Sequence, residues 1–145
     1  EILRELDGVV DIYLPDFKYA DAAMAAEYSA GAASYPTTTR AALLEMHRQV
    51  GVARPNADGL VRRGLMIRHL VMPGEVSGTR AVIDWIAANL PADTHLTLMS
   101  QYRPAGDAHQ HPAIARRITR AEYGAAVRRA RKAGLTNLDL QGFPR

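Results

Sequence analysis

The sequence predicts an α/β protein built on a parallel sheet, and three observations carry that expectation. Four short runs of β-forming residues alternate with amphipathic segments of about ten or more residues, the order β-α-β-α-β-α-β that parallel β-α-β units produce. Two of the runs, Val9–Leu14 and Leu65–Val71, break at their C-terminal ends into charged or turn-forming residues. Binding sites of parallel sheets lie at those carboxyl ends. Four strands cannot close an eight-stranded barrel, so the chain reads as a half-barrel or one side of an open sheet, with one inserted hairpin. Beyond the β-α alternation there is no internal repeat, and no stretch is low in complexity.

The chain opens on Glu1-Ile2-Leu3-Arg4-Glu5-Leu6, an amphipathic stretch with neither initiator Met nor cap, and reads as a piece of a longer protein. In Val9–Leu14 four of six residues are β-branched or aromatic, and Pro15 stops the ladder. Ala20–Ala33 is alanine-rich with Met24 and Tyr28 four apart, which predicts a helical segment; Gly31 and Ser34-Tyr35-Pro36 punctuate it. Thr37–Val50 has the strongest helical pattern. Pro36 lies at or just outside its start, Thr37–Thr39 can cap it, and Ala42, Leu43, Met46 and Val50 recur at helical spacing until Gly51. Pro55-Asn56-Ala57-Asp58-Gly59 then closes a hairpin across Val52–Gly64.

Leu65–Val71 is the second strand, broken by Pro73-Gly74. Ser77-Gly78-Thr79 leads into a helix with Val82, Ile83, Trp85, Ile86 and Leu90 on its buried side. Thr94–Met99 is the third strand. Gln101–Pro112 is a polar loop, too long and too rich in His, Arg and Tyr for a mere connection. Thr119 and Glu122 form a capping box for a helix that runs to Gly134. Leu135–Leu140 is the fourth strand.

Composition excludes several classes. The 145 residues suffice for one domain with a core, 1–145, and no apolar run approaches the length needed to cross a bilayer. The absence of cysteine excludes disulfides and thiolate-held metals within the chain. The +3 net charge comes mostly from arginine and speaks to non-specific attraction rather than function. No nucleic-acid module accompanies it, and only 6% of the residues are aromatic, so nucleic acid is not expected as a partner. P-loop, GxGxxG and serine-hydrolase elbow are all absent.

If the strands are parallel, their ends gather Asp16, Lys18, Arg68, Gln101, Tyr102 and Arg103, with Asp139 and Gln141 from the last strand. Asp16 and Lys18 share a face because side chains alternate along a strand. The bland alternative is a local ion pair in a loop. Arg68 beside them favours a binding face: the cations suit a carboxylate or phosphate, and Asp16 an amine or metal ion. The loop histidines His109 and His111 lack a third ligand and are weak evidence for metal. His47 and His95 read as structural. His69 should point away from Arg68, toward the helices, as a hydrogen-bonded packing residue. Arg128, Arg129, Arg131 and Lys132 lie mostly outward on the last helix, the usual solvated face.

These same segments resemble a known family. DIYLPDFKYAD at 11–21, EMHRQVG at 45–51, GLMIRHLVMPG at 64–74, SGTRAVIDWIA at 77–87, LMSQYRPAGDAHQHP at 98–112 and RRITRAEYGAAVRRARKAGL at 116–135 are together similar to the C-terminal half of radical SAM proteins. The nearest group is the uncharacterised set similar to pyruvate formate-lyase activating enzyme. The resemblance implies the second half of a partial (β/α)6 TIM-like barrel, with the cluster-binding N-terminal part outside this chain. It implies a cytoplasmic enzyme whose [4Fe-4S] cluster, held by a CxxxCxxC loop, binds S-adenosylmethionine (SAM). The cluster cleaves it reductively to methionine and a 5′-deoxyadenosyl radical.

Residue by residue, Asp16 and Lys18 match the family's DxK at a strand end near SAM, where the Asp can also hold a monovalent cation. Arg68 matches an arginine before the VxPG turn that faces the cofactor cavity. Tyr102 falls on the aromatic of a PYH-like segment, where Arg103 replaces the histidine; that departure leaves the substrate open, including a protein substrate. Tyr102, Arg103, His109 and His111 are the substrate-side candidates, and no residue is assigned as catalytic. The partners implied are SAM and the missing half of the same barrel. Without cysteine the chain by itself would be inactive. The rival from another class is a Cys-free, degenerate half-barrel acting as a non-enzymatic binding module. A CxxxCxxC encoded upstream of Glu1 would decide between them.

Overall fold

The β-forming runs pair as their order requires. In a computed structural model, which describes residues 1–143, the elements are α1 (Ile2–Glu5), β1 (Ile12–Tyr13), α2 (Ala22–Tyr28), α3 (Tyr35–Val50), β2 (Gly64–Leu70), α4 (Thr79–Asn89), β3 (His95–Met99), α5 (Arg120–Lys132) and β4 (Leu138–Leu140). Short 3-10 turns occupy 73–75 and 106–110. The sheet order is β1-β2-β3-β4 and every pairing is parallel, so the α/β expectation holds.

One face of the sheet carries the core. Tyr13 and Phe17 from the first segment, Leu65, Ile67 and His69 from β2, and Leu96 and Leu98 from β3 are buried at alternate positions. Helix residues Leu43, Val82, Ile83, Ile86, Tyr123 and Ala126 join them in one cluster. Trp85 of α4 meets Phe17 edge-on at 5.7 Å, and the Tyr123 hydroxyl donates to the Leu98 carbonyl at 2.9 Å. The side chains between these positions point the other way, and on that face Ile12 and Leu14 stay 40% and 50% exposed. Parallel sheets ordinarily have both faces covered. This one has helices packed on one.

Several boundaries differ from the sequence reading, each for a physical reason. The β1 ladder is only two residues long by strict pairing, because Pro15 has no N–H to give. Yet the extended pairing continues past it. The Arg68 N–H donates to the Pro15 carbonyl and the Phe17 N–H to the Arg68 carbonyl, both at 2.9 Å. The expected hairpin reduces to a turn with a single antiparallel bridge, Pro55–Val61. Its carrier is the Asn56 side chain, which accepts from the N–H groups of Asp58 and Leu60.

The third helix starts at Tyr35, with Pro36 inside the first turn, and no threonine caps it. Asp21 instead caps α2, accepting from the amides of Ala23 and Met24 at 2.8 and 3.0 Å. The capping box of α5 forms as expected between Thr119 and Glu122. Gly64 is required where β2 begins: a Cβ there would lie 2.3 Å from the Ala53 Cα.

Candidate functional site

The site is a row of side chains across the uncovered face. Register places Asp16 beside Arg68, Arg68 beside Thr97 and Thr97 beside Asp139, one residue from each strand or its extension. Arg68 presents Nε and Nη2 to one oxygen of Asp16, both at 2.8 Å. Lys18 Nζ lies 3.3 Å from the other. Asp16, Lys18 and Arg68 are therefore one cluster: alternation puts Asp16 and Lys18 on one face, and the parallel register sets Arg68 beside Asp16. The lysine and arginine side chains are 47% and 40% exposed, which leaves donors free for an added group.

The trio carries a net positive charge. With each Asp16 oxygen engaged by a cation, a metal ion there would compete with an ammonium and a guanidinium. The arrangement suits an anion better than a cation. Further along the row the Thr97 hydroxyl donates to Asp139 at 3.1 Å, and His95 Nε2 lies 3.2 Å from the same hydroxyl. Asp139 thus joins the face that the strand order suggested. Thr97 was hidden in an apolar strand, and its register with Asp139 was the missing signal.

Two supports behind the site have partners that the sequence did not reveal. The Tyr35 hydroxyl donates to the Asp16 carbonyl at 2.8 Å and accepts from the Lys18 N–H at 2.9 Å. It grips the backbone of the Asp-Phe-Lys segment on both sides of Phe17. Nothing in Ser34-Tyr35-Pro36 marked it as more than punctuation. The second support is His69, fully buried on the helix side as expected. Its Nδ1 lies 2.6 Å from the Phe17 carbonyl, which can only accept, so Nδ1 carries the proton. Nε2 then accepts from the Thr79 hydroxyl at 2.9 Å, and Ser77 in turn meets Thr79 at 3.0 Å. Burial holds the imidazole neutral by lowering its pKa to about 4.

The loop candidates are placed differently. Tyr102 is a strut: half-buried among Tyr19, Met72 and Ile114, it donates to the Ile114 carbonyl at 2.7 Å. Burial raises its pKa. Arg103 and His109 are exposed, and His111 packs edge-on against Tyr28 at 5.7 Å. Gln101 is exposed and Gln141 half-buried. Among the described residues no group of three His, Cys, Asp or Glu side chains is placed to hold a metal. No helix among them is long and apolar enough to cross a membrane.

No protein-family model matches the chain, and no solved structure matches it. It is similar to an uncharacterized protein of Methanocaldococcus jannaschii, with 34% identity over 141 residues, 97% of this chain and 36% of the relative. The chain therefore spans about a third of the length of the curated relative it matches.

Proposed function

We propose that the chain is the second half of a partial (β/α)6 barrel of a cytoplasmic radical SAM protein, of the group similar to pyruvate formate-lyase activating enzyme, with its substrate open. One observation carries the reading. Asp16, Lys18 and Arg68, the three positions that match the family's SAM-side motifs, meet on the one sheet face that helices leave open. In a closed or nearly closed barrel that face is the interior, where the ends of several strands line a ligand site.

The donor set fits SAM. Its carboxylate answers the free donors of Lys18 and Arg68, and Asp16 keeps both cations oriented while offering a partner to a hydroxyl or amine. A [4Fe-4S] cluster does not fit these residues, because the chain has no cysteine; its ligands belong to a part of the protein outside this sequence. The cofactor supplies the radical chemistry, and this half of the barrel binds and orients. The length of the relative is in keeping with a larger whole.

The experiment is SAM affinity by calorimetry on the full-length, anaerobically reconstituted protein, with 5′-deoxyadenosine formation as a second readout. Lys18→Ala and Arg68→Ala should each weaken binding by about 1.5–3 kcal/mol, roughly 10- to 150-fold, through loss of a charge-assisted contact. Asp16→Asn should weaken it too, by releasing both cations. Arg131→Ala, on an exposed part of α5, is the control. Wild-type affinity in all three site variants would overturn the assignment.

A further inference from the structure

On the helix side of the sheet, far in kind from the row described above, α4 and α5 leave a cleft of about 490 Å³. It is lined by the buried Thr79 and Ala126, by the exposed Ala125, and by Glu75, Arg80, Arg128, Arg129 and Lys132. We propose that this cleft docks an extended acidic segment of a partner protein.

The charges are the first argument. Asp84 holds Arg129 and lies 3.9 Å from Arg80. Glu75 is turned to the Arg80 amide at 3.3 Å. Arg128 and Lys132 have no carboxylate within ion-pair distance among the described residues. The cleft therefore keeps a surplus of positive charge.

An ordinary solvated helix face interleaves both signs. Here the only acidic residue of α5 is Glu122, at the opposite end and already engaged by Arg116, Thr119 and Gly74. Arg128 and Lys132 are four apart, a like-charge spacing that destabilises a helix. The helix dipole favours cations in the last turn of α5, but it does not account for Arg80. That residue stands in the first turn of α4, where the dipole disfavours a cation. Arg80 and Arg129 share Asp84, so the unbalanced cations of the cleft are Arg128 and Lys132, and they point to an anionic occupant.

The shape selects among anions. The small side chains of Thr79, Ala125 and Ala126 admit a polypeptide backbone, and among the described residues no aromatic side chain lines the cleft for bases to stack upon. On α5 the lining runs from Ala125 to Lys132, about 11 Å at 1.5 Å per residue, a length that an extended segment of about three or four residues spans.

The test is fluorescence anisotropy of the full-length protein with a labelled oligoglutamate of about four residues. The peptide should bind, and binding should weaken as salt rises, since these contacts are exposed. Arg128→Glu/Lys132→Glu should lower affinity at least about tenfold. Arg62→Glu, which alters charge equally per site away from the cleft, should change it little. Should the double charge reversal fail to fold by circular dichroism, Arg128→Gln/Lys132→Gln gives the same reading. No binding of oligoglutamate, equal loss in Arg62→Glu, or tighter binding of a single-stranded oligonucleotide of matched charge would each overturn the proposal. None of these readouts depends on SAM.

Discussion

His69 shows how much one buried side chain decides. Both its nitrogens are engaged in the neutral form, and burial lowers its pKa to about 4 from an ordinary value of 6.5. The unfolded chain therefore binds a proton that the folded chain resists. Stability from this group is complete above pH 6.5 and is lost as pH falls toward 4, by about 2 kcal/mol at pH 5. Urea titrations at pH 7.5 and 5 should show that loss in the wild type, and a smaller one in His69→Gln, which has nothing to titrate there. Equal pH dependence in the two proteins would contradict the assigned neutral state. That His69 would turn from Arg68 was legible, because alternation in a strand is reliable. That it would bind the Phe17 carbonyl, and so brace the segment holding Asp16 and Lys18, was not, since its partner lies 52 residues away.

At the scale of elements, the join between α5 and the turn after β2 rests on Glu122. Its carboxylate accepts from the Thr119 N–H at 2.7 Å, closing the capping box, and from the Gly74 N–H at 2.8 Å. Arg116 binds it through two nitrogens. That arginine, with help from the backbone donors, holds the Glu122 pKa well below the carboxylate range. Glu122→Ala should cost about 2 kcal/mol, more than a cap alone, because the Gly74 amide loses its partner too. Chemical denaturation measures it; a loss of a few tenths would show that water replaces the carboxylate at no cost. The Thr-x-x-Glu spacing revealed the cap, a local matter of three residues. The tether to Gly74 is long-range and left no mark in the pattern.

The molecule as a whole has a dressed face and a bare one. Where Ile12 and Leu14 lie open beside the polar row, the surface combines apolar patches with charge, a combination that promotes association. The isolated chain should bind a hydrophobic dye and self-associate as concentration rises. Leu14→Glu should reduce both, as read by dye fluorescence and sedimentation velocity, while leaving the fold intact. A wild-type chain that stays monomeric and dye-free would mean that this face tolerates water. The β-α order and the parallel sheet followed from the residues, because hydrophobic period and segment length suffice for them. Closure of a barrel did not, because it depends on strands beyond those four.

One contact sets a limit on what could lie beside β1. In the extended first segment, the Pro15 carbonyl and Phe17 N–H turn toward β2, so the Asp16 carbonyl and Lys18 N–H turn toward the outer edge. Those two groups flank Phe17, the pair that a single residue of another parallel strand would bind. The Tyr35 phenol occupies both. It imitates one residue of a neighbouring strand, donating where that residue's amide would donate and accepting where its carbonyl would accept. An incoming strand can therefore pair along the stretch before Asp16 but must stop there or displace the ring. Tyr35 is a register stop: it fixes where sheet extension ends and keeps the chain beside Asp16 and Lys18 from being zipped shut.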